Sequence, residues 1–318
     1  MTEFPKTLTH LSYSAVKVFL ESPEKFKHQY IDGNKPDKTK AMSLGSLVDC
    51  MLTTPDKFEE EYALQNIEKP SSSAQQNAFA EEIVSLFIQG IQPQADEVWK
   101  HHFSVKGKAP DAIVAASKEL FTKWKPYMEW LIDVRKNEKT IVSEEEYKKA
   151  VAICTSVNDH PLASKWLVSM EGEFQKELRW KSSISEIEIL GYMDKLIVDH
   201  KKRRAMVIDF KVSAVENEHQ FKSKVRQFKY HMQAWSYVTG VSQNLFQETG
   251  ETYDVSHMYI VVNSNEPHQV MCLQFDENDL EKGYTDFYYT LEEINQRLLS
   301  GNWRHNDSLI KLKVFNDN

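Results

Sequence analysis

Asp194, Asp209 and Lys211 are the residues whose types and spacing could do chemistry. They sit in two stretches, Gly191-Tyr192-Met193-Asp194 and Ile208-Asp209-Phe210-Lys211, joined through the basic turn Lys201-Lys202-Arg203-Arg204. Both stretches read as β-strands, since β-branched and aromatic residues are frequent and apolar positions partly alternate with polar ones. Alternation puts Val207, Asp209 and Lys211 on one face, with Met206, Ile208 and Phe210 on the other. The same rule gives Tyr192, Asp194 and Leu196 a common face. A hairpin turning symmetrically about Lys201-Lys202 sets Asp194 opposite Asp209, with side-chain roots roughly 5 Å apart. Two carboxylates that close repel unless a cation or a proton lies between them. A hard divalent cation suits carboxylate oxygens, and Lys211 could orient or activate a water beside it. The pattern points to metal-assisted hydrolysis. A register slipped by one residue would send the two acids to opposite faces and leave no site.

Further polar groups cluster around this pair in sequence. Glu173, Gln175, Glu177 and Arg179 form the polar side of a preceding strand, and Glu177 is the candidate third acid, as ligand or as acceptor for a metal-bound water. Its alternative is a solvated strand face. After the second acid comes a helical stretch with Phe221, Val225, Phe228, Met232 and Trp235 at core spacing. Lys222, Arg226, Tyr230, Gln233 and Tyr237 form a second line of cations, amide and phenols, suited to phosphates and sugars or equally to a plain surface face. The Lys201–Arg204 turn fits a solvated hairpin tip better than a phosphate clamp. His101-His102 has no carboxylate or cysteine at ligand spacing. Neither a P-loop nor a Gly-x-Ser-x-Gly elbow is present, which argues against nucleotide hydrolysis and serine catalysis.

The elements needed to position these groups can be read around them. Leu11-Ser12-Tyr13-Ser14 caps a helix carrying Val16, Val18, Phe19 and Leu20, broken near Pro23. Helical spacing resumes through Phe26 and Tyr30 to Gly33, and again from Leu44 to Leu52. Residues Glu68 to Asn77 read as a loop, and Phe79 to about Val168 as helices. Strands follow near Phe174–Trp180, Glu186–Val198 and Arg204–Val212, then one helix over Glu218–Thr239. Strands near His257–Asn263 and Gln269–Phe275 lead to a last helix, Asn278–Leu299, stopped at Gly301. The expected fold is α/β: a mixed central sheet flanked by helices, with a helical elaboration in the N-terminal half. The division expected is 1–60 as N-terminal helices of the core, 61–170 as the elaboration, and 171–318 as the rest of the core with its C-terminal helix.

The 318 residues suffice for a large core, and 41% hydrophobic with 27% charged residues is ordinary for a globular protein. No apolar run approaches a membrane span, and Thr2, Glu3 and Pro5 leave no signal-peptide core, so a cytoplasmic setting without membrane contact is expected. Cys50, Cys154 and Cys272 are odd in number and scattered, which argues against a disulfide framework or a zinc site. A net charge of −8 argues against a simple nucleic-acid coat protein. Locally the balance reverses: from His219 to Gln247 there are Lys222, Lys224, Arg226 and Lys229, and no acid.

Taken together, Glu177, Gly191 with Asp194, and Asp209 with Lys211 resemble the acidic-strand, Gly-x-x-Asp and Asp-x-Lys elements of the PD-(D/E)XK nuclease superfamily. Gln233-Ala234-Trp235-Ser236-Tyr237 resembles the Gln-x-x-x-Tyr motif of its RecB-like and RecE-type (exodeoxyribonuclease VIII-like) branch. Leu11–Ser14 with Phe19, Pro23, Phe26 and Tyr30 resembles the first helix of RecB-like nucleases. Leu44-Gly45-Ser46-Leu47-Val48-Asp49 resembles the helix that often carries a metal-binding histidine, with Asp49 in its place. Ser22 stands where iron–sulfur relatives often carry cysteine, and three thiols cannot furnish a cysteine quartet.

The resemblance implies a restriction-endonuclease-like sheet, with 171–318 as the nuclease core, and a deoxyribonuclease using Mg²⁺ or Mn²⁺, with an exonuclease on double-stranded DNA ends in recombination or repair as the first expectation. Asp49, Asp194 and Asp209 would hold the metal, with the Phe210 carbonyl as a further ligand. Lys211 and Glu177 would serve the attacking water, and Arg226, Tyr230, Gln233 and Tyr237 the substrate strand. A recombination partner protein, self-assembly and a phage-like origin are implied by resemblance only. The alternatives are a DNA-binding or assembly module without turnover, and an endonuclease for branched or single-stranded DNA.

Overall fold

Alternating apolar residues after Glu173 form the three antiparallel strands on which the site is built: β2 (Glu173–Lys181), β3 (Glu188–Asp199) and β4 (Arg204–Ser213), with the short β1 (His10–Ser12) preceding them in the chain. The computed structural model describes residues 8–34, 44–182 and 187–304. Thr2, Glu3, Pro5 and the expected strand start Glu186 lie outside the described residues. Contacts divide the chain into two units, residues 40–152 and the remainder.

In the larger unit, β5 (Asp254–Asn263) pairs parallel to β4, and β6 (Val270–Gln274) pairs antiparallel to β5. The result is a mixed sheet, as expected, but six-stranded, since β1 joins the five strands read from the sequence. β3 is its branch point. β2 runs antiparallel along residues 188–196 of one β3 edge. A strand has only two edges, so β1, parallel at residues 188–190, and β4, antiparallel at residues 195–199, share the other. Between them the edge from Gly191 to Asp194 carries no ladder partner among the described residues, and β3 and β4 part into a fork. The register is the expected one, with Lys195 opposite Ile208, and it ends one step before the acids.

Strict alternation fails inside β3. Met193 and Leu196 both enter the same core with Val241 and Leu245, while Tyr192 is 53% exposed, so Tyr192 and Leu196 do not share a face. The break is matched across the ladder, where Gln175 takes a left-handed φ of 48°. Lys195 is turned to the opposite side, its ammonium capping the Leu167 carbonyl at 2.8 Å and the Met170 carbonyl at 2.5 Å.

Helices cover this sheet: α1 (Tyr13–Glu21), α2 (Glu218–Phe228), α3 (Tyr230–Thr249) and α4 (Glu277–Ser300). Ser12 caps α1 as expected, accepting from Ala15 N–H at 3.2 Å. The single helix expected over Glu218–Thr239 is two, broken at Lys229 (φ 58°, ψ 36°). In a continuous helix the Phe228 carbonyl would accept from Met232 N–H. Here it accepts instead from the Tyr13 hydroxyl, and Met232 N–H turns back to Lys229 O at 2.9 Å. The core stripe and the polar line therefore do not run on from α2 to α3.

The smaller unit is largely helical: a helix at Leu44–Thr53, and three at Ala74–Ile88, Ala95–His102 and Pro110–Lys136 packed around Phe79, Ile83, Trp99, Trp124 and Met128. Two short strands, Tyr62–Leu64 and Thr140–Val142, pair parallel. The expected loop through Asn77 ends at Ser73, because Ser73 and Gln76 cap each other's backbone and start a helix at Ala74. Among the described residues, no helix is long and apolar enough to cross a membrane.

Candidate active site at the strand fork

Opening the fork leaves Phe210 N–H without a ladder acceptor, and a buried amide must find one. It donates to Asp194 Oδ2 at 2.7 Å, which fixes that carboxylate at the crotch of the fork. Within a strand the N–H and C=O of one residue point to the same neighbour, so the Phe210 carbonyl also faces the fork. Asp209, one residue earlier, faces α3. It is buried, and its Oδ1 accepts from Gln233 Nε2 at 3.0 Å. Its Oδ2 meets the Lys211 ammonium and has no other partner among the described residues. Lys211 lies two positions on along the same strand face, as alternation requires.

Gln233 is held in turn. The Tyr237 hydroxyl, one helical turn on, accepts from Gln233 Nε2 at 3.3 Å and donates to the Tyr192 carbonyl at 3.0 Å. The Tyr259 hydroxyl lies 3.0 Å from the Tyr230 carbonyl and 3.4 Å from Gln233 Oε1. Gly191 makes this approach possible, since a Cβ there would come within 2.6 Å of the Tyr237 ring. The glycine of Gly-x-x-Asp is thus where α3 meets the branch-point strand.

Electrostatics follow from burial and the two acids. Burial pushes the Asp209 carboxyl up, opposed by the Lys211 charge. Burial draws the Lys211 ammonium down, but the Asp209 and Asp194 charges outweigh it and hold it above its ordinary value. Tyr237 is pushed up to about 12, first by burial and then by Asp209. Both acids act on Lys211 and on Tyr237, which places the two carboxylates in one local field.

The structure thus brings together Asp194, Asp209, Lys211, Gln233 and Tyr237, with Tyr230 beside them, its ring 5.8 Å from Lys211 Nζ. It does not bring Glu177 to them. That carboxylate is exposed and accepts from Arg179 Nε at 2.5 Å and from the Tyr192 hydroxyl at 2.8 Å. Arg226 is exposed on α2, beyond the break at Lys229. Asp49 lies on the Leu44–Thr53 helix of the smaller unit, and a ligand role for it rests on the sequence resemblance. Three neighbours had no place in the sequence-based site: Tyr259, His257 and the Tyr13 hydroxyl. Tyr259 lies directly beside Asp209, and His257 beside Val207, through the parallel β4–β5 pairing.

The donors present fit a hard cation. Two carboxylates and a fork-facing carbonyl are oxygen donors, and Mg²⁺ is ordinarily held by one or two carboxylates with water and phosphate oxygens completing its shell. Among the described residues no group of three or more His, Cys, Asp or Glu adds to them.

The chain belongs to the family described as a PDDEXK-like domain of unknown function (DUF3799), which matches residues 12–304. No curated protein matches the sequence. Among solved structures, the chain is similar to a candidate exonuclease from Eubacterium rectale, at 14% identity over 92% of this chain and 82% of that one, with a TM-score of 0.46. That likeness is loose, and the family assignment stands on the sequence match.

Proposed function

We propose that this protein is a divalent-metal-dependent deoxyribonuclease, and within that class an exonuclease acting on double-stranded DNA ends. The observation that carries the proposal is the buried Asp209 carboxylate, oriented by Gln233 on one oxygen and facing Lys211 on the other, with Asp194 pinned across the fork. Asp194, Asp209 and the Phe210 carbonyl would hold the cation, which when bound supplies charge to a phosphate oxygen and acidifies water.

The chain's own groups do the rest. Lys211 pairs with Asp209, and its ammonium would offset negative charge developing on the reacting phosphate. Gln233 and Tyr237 keep Asp209 from rotating. Double-stranded ends, a role in recombination or repair, and kinship with the RecE-type branch are supported by the motif order, Gly191, Asp194, Asp209, Lys211, Gln233, Tyr237.

The test is cleavage of linear duplex, covalently closed duplex and single-stranded DNA with Mg²⁺ or Mn²⁺. Expected is digestion of linear duplex that Asp209→Asn and Lys211→Ala abolish in folded protein. Cleavage of closed circles would point to an endonuclease. Cation binding without cleavage of any form would make the chain a DNA-binding module.

A further inference from the structure

We infer that the surface where α1 meets the end of α2 carries a binding track for a single DNA strand, formed by Lys17, Phe228 and Lys224 and leading to Lys211. The inference rests on the nuclease reading and names where the reacting strand lies. Lys17 comes from α1 and Lys224 from α2, and both ammoniums lie over the one Phe228 ring, at 5.0 Å and 5.5 Å from its centroid. Neither lies within ion-pair distance of a carboxylate among the described residues, although acids outnumber basic residues by 47 to 39 in the chain. Several other cations of this unit are paired. Lys222 pairs with Glu218, Lys202 with Asp199, Arg203 with Glu251 and Arg204 with Asp254. Lys17 lies in the field of Glu21 without pairing with it, the two half-buried ammoniums at one ring repel each other, and an anion at the ring would relieve that cost.

The ring makes the track continuous with the acids. Phe228 stacks on Tyr230 at 5.6 Å between centroids, and the Tyr230 ring lies 5.8 Å from Lys211 Nζ. The Tyr13 hydroxyl, bonded to the Phe228 carbonyl, locks α1 to the end of α2 and so fixes the spacing of the two lysines. The left-handed Lys229 turn places Phe228 and Tyr230 side by side. Paired aromatic faces flanked by cations match the chemistry of single-strand binding, in which bases stack and phosphates meet ammonium groups.

The experiment is a metal-free titration, in EDTA, of full-length protein with a fluorescein-labelled oligodeoxythymidylate at several salt concentrations. Each phosphate contact on a single strand contributes about 0.7 to the slope of log K against log salt. The Lys17→Gln/Lys224→Gln protein should therefore lose about 1.4 from that slope, and bind roughly tenfold or more weakly at low salt. Lys17→Arg/Lys224→Arg should restore both. Lys201→Gln/Lys202→Gln makes the same change in net charge about 17 Å or more along β4 from Asp209, and should change little. No measurable oligonucleotide binding, an unchanged slope in the Lys17/Lys224 variant, or an equal loss in the Lys201/Lys202 control would each overturn the track. Because no metal is present, absence of cleavage by the wild type would leave this readout intact and count only against the nuclease reading.

Discussion

Gln233 on α3 donates its side-chain amide to Asp209 on β4 at 3.0 Å, so the helix packed on the sheet sets the angle of the buried carboxylate. Hydrogen bonds to charged groups contribute about 1.5–3 kcal/mol, and more is lost when the acceptor stays buried without its donor. Gln233→Ala should lower unfolding stability by about 2 kcal/mol and cut metal-dependent cleavage at least tenfold. Gln233→Glu should do worse, because it sets a second acid against Asp209. Urea denaturation and single-turnover digestion check both, and full activity in Gln233→Ala would remove the orienting role.

The Asp209–Lys211 contact makes a second expectation, read without catalysis. A cation bound at the fork would stabilise the folded state by mass action, about 2.7 kcal/mol at a hundredfold excess over Kd. Mn²⁺ should raise the Tm of the wild type and leave that of Asp209→Asn unmoved. Equal shifts in the two proteins would place the cation elsewhere.

Gly191 shows how closely the site depends on a missing side chain. A Cβ there would meet the Tyr237 ring at 2.6 Å, and Tyr237 is held at its other end by the Tyr192 carbonyl. Overpacking of this kind costs about 1–3 kcal/mol. Gly191→Ala should lower the denaturation midpoint and shift Gln233 with Tyr237, reducing cleavage. Gly250→Ala, where no atom lies within 4 Å of the added Cβ, tests backbone strain alone, since its φ is 71°. Activity should survive there even where stability drops.

How much of this was legible in the sequence depends on whether a turn fixes the register. Asp194 and Asp209 could be set against each other because one short turn, Lys201-Lys202, joins their strands. Tyr259 could not be set beside Asp209, because β4 and β5 are parallel and some forty residues of α2 and α3 separate them, leaving no local rule for register. The break at Lys229 was hidden for a similar reason: the acceptor that ends α2's pattern is satisfied by Tyr13, more than two hundred residues away in the chain. Alternation predicted Leu196 with Tyr192, and failed where Gln175 and Asp194 interrupt both strands together. His101-His102 has no acid at ligand spacing in sequence, yet folding brings Glu82 to both rings at 2.7 Å. Local patterns gave the strands and the motif order, and tertiary contacts decided which side chains meet.

His257 supplies the last prediction. It is buried on β5 beside the Tyr259 ring, 4.5 Å between centroids, and neither ring nitrogen has a protein partner among the described residues. Burial first, and then the Lys211 charge, push its pKa down to about 3. The folded protein therefore keeps this imidazole neutral while the unfolded chain protonates it near its ordinary value of about 6.5. Its contribution to stability is fully present above that value and is lost as pH falls from 6.5 toward 3. Between pH 7.5 and pH 5 the loss should be about 2 kcal/mol, at 1.36 kcal/mol per unit. His257→Leu, similar in size and without a titrating group, should remove this share of the acid sensitivity and leave neutral-pH stability equal or higher, since two unpaired nitrogens are gone. Urea denaturation of both proteins at the two pH values isolates the effect from the other histidines, which are common to both. Identical pH dependence in wild type and variant would mean that His257 is not held neutral beneath the site.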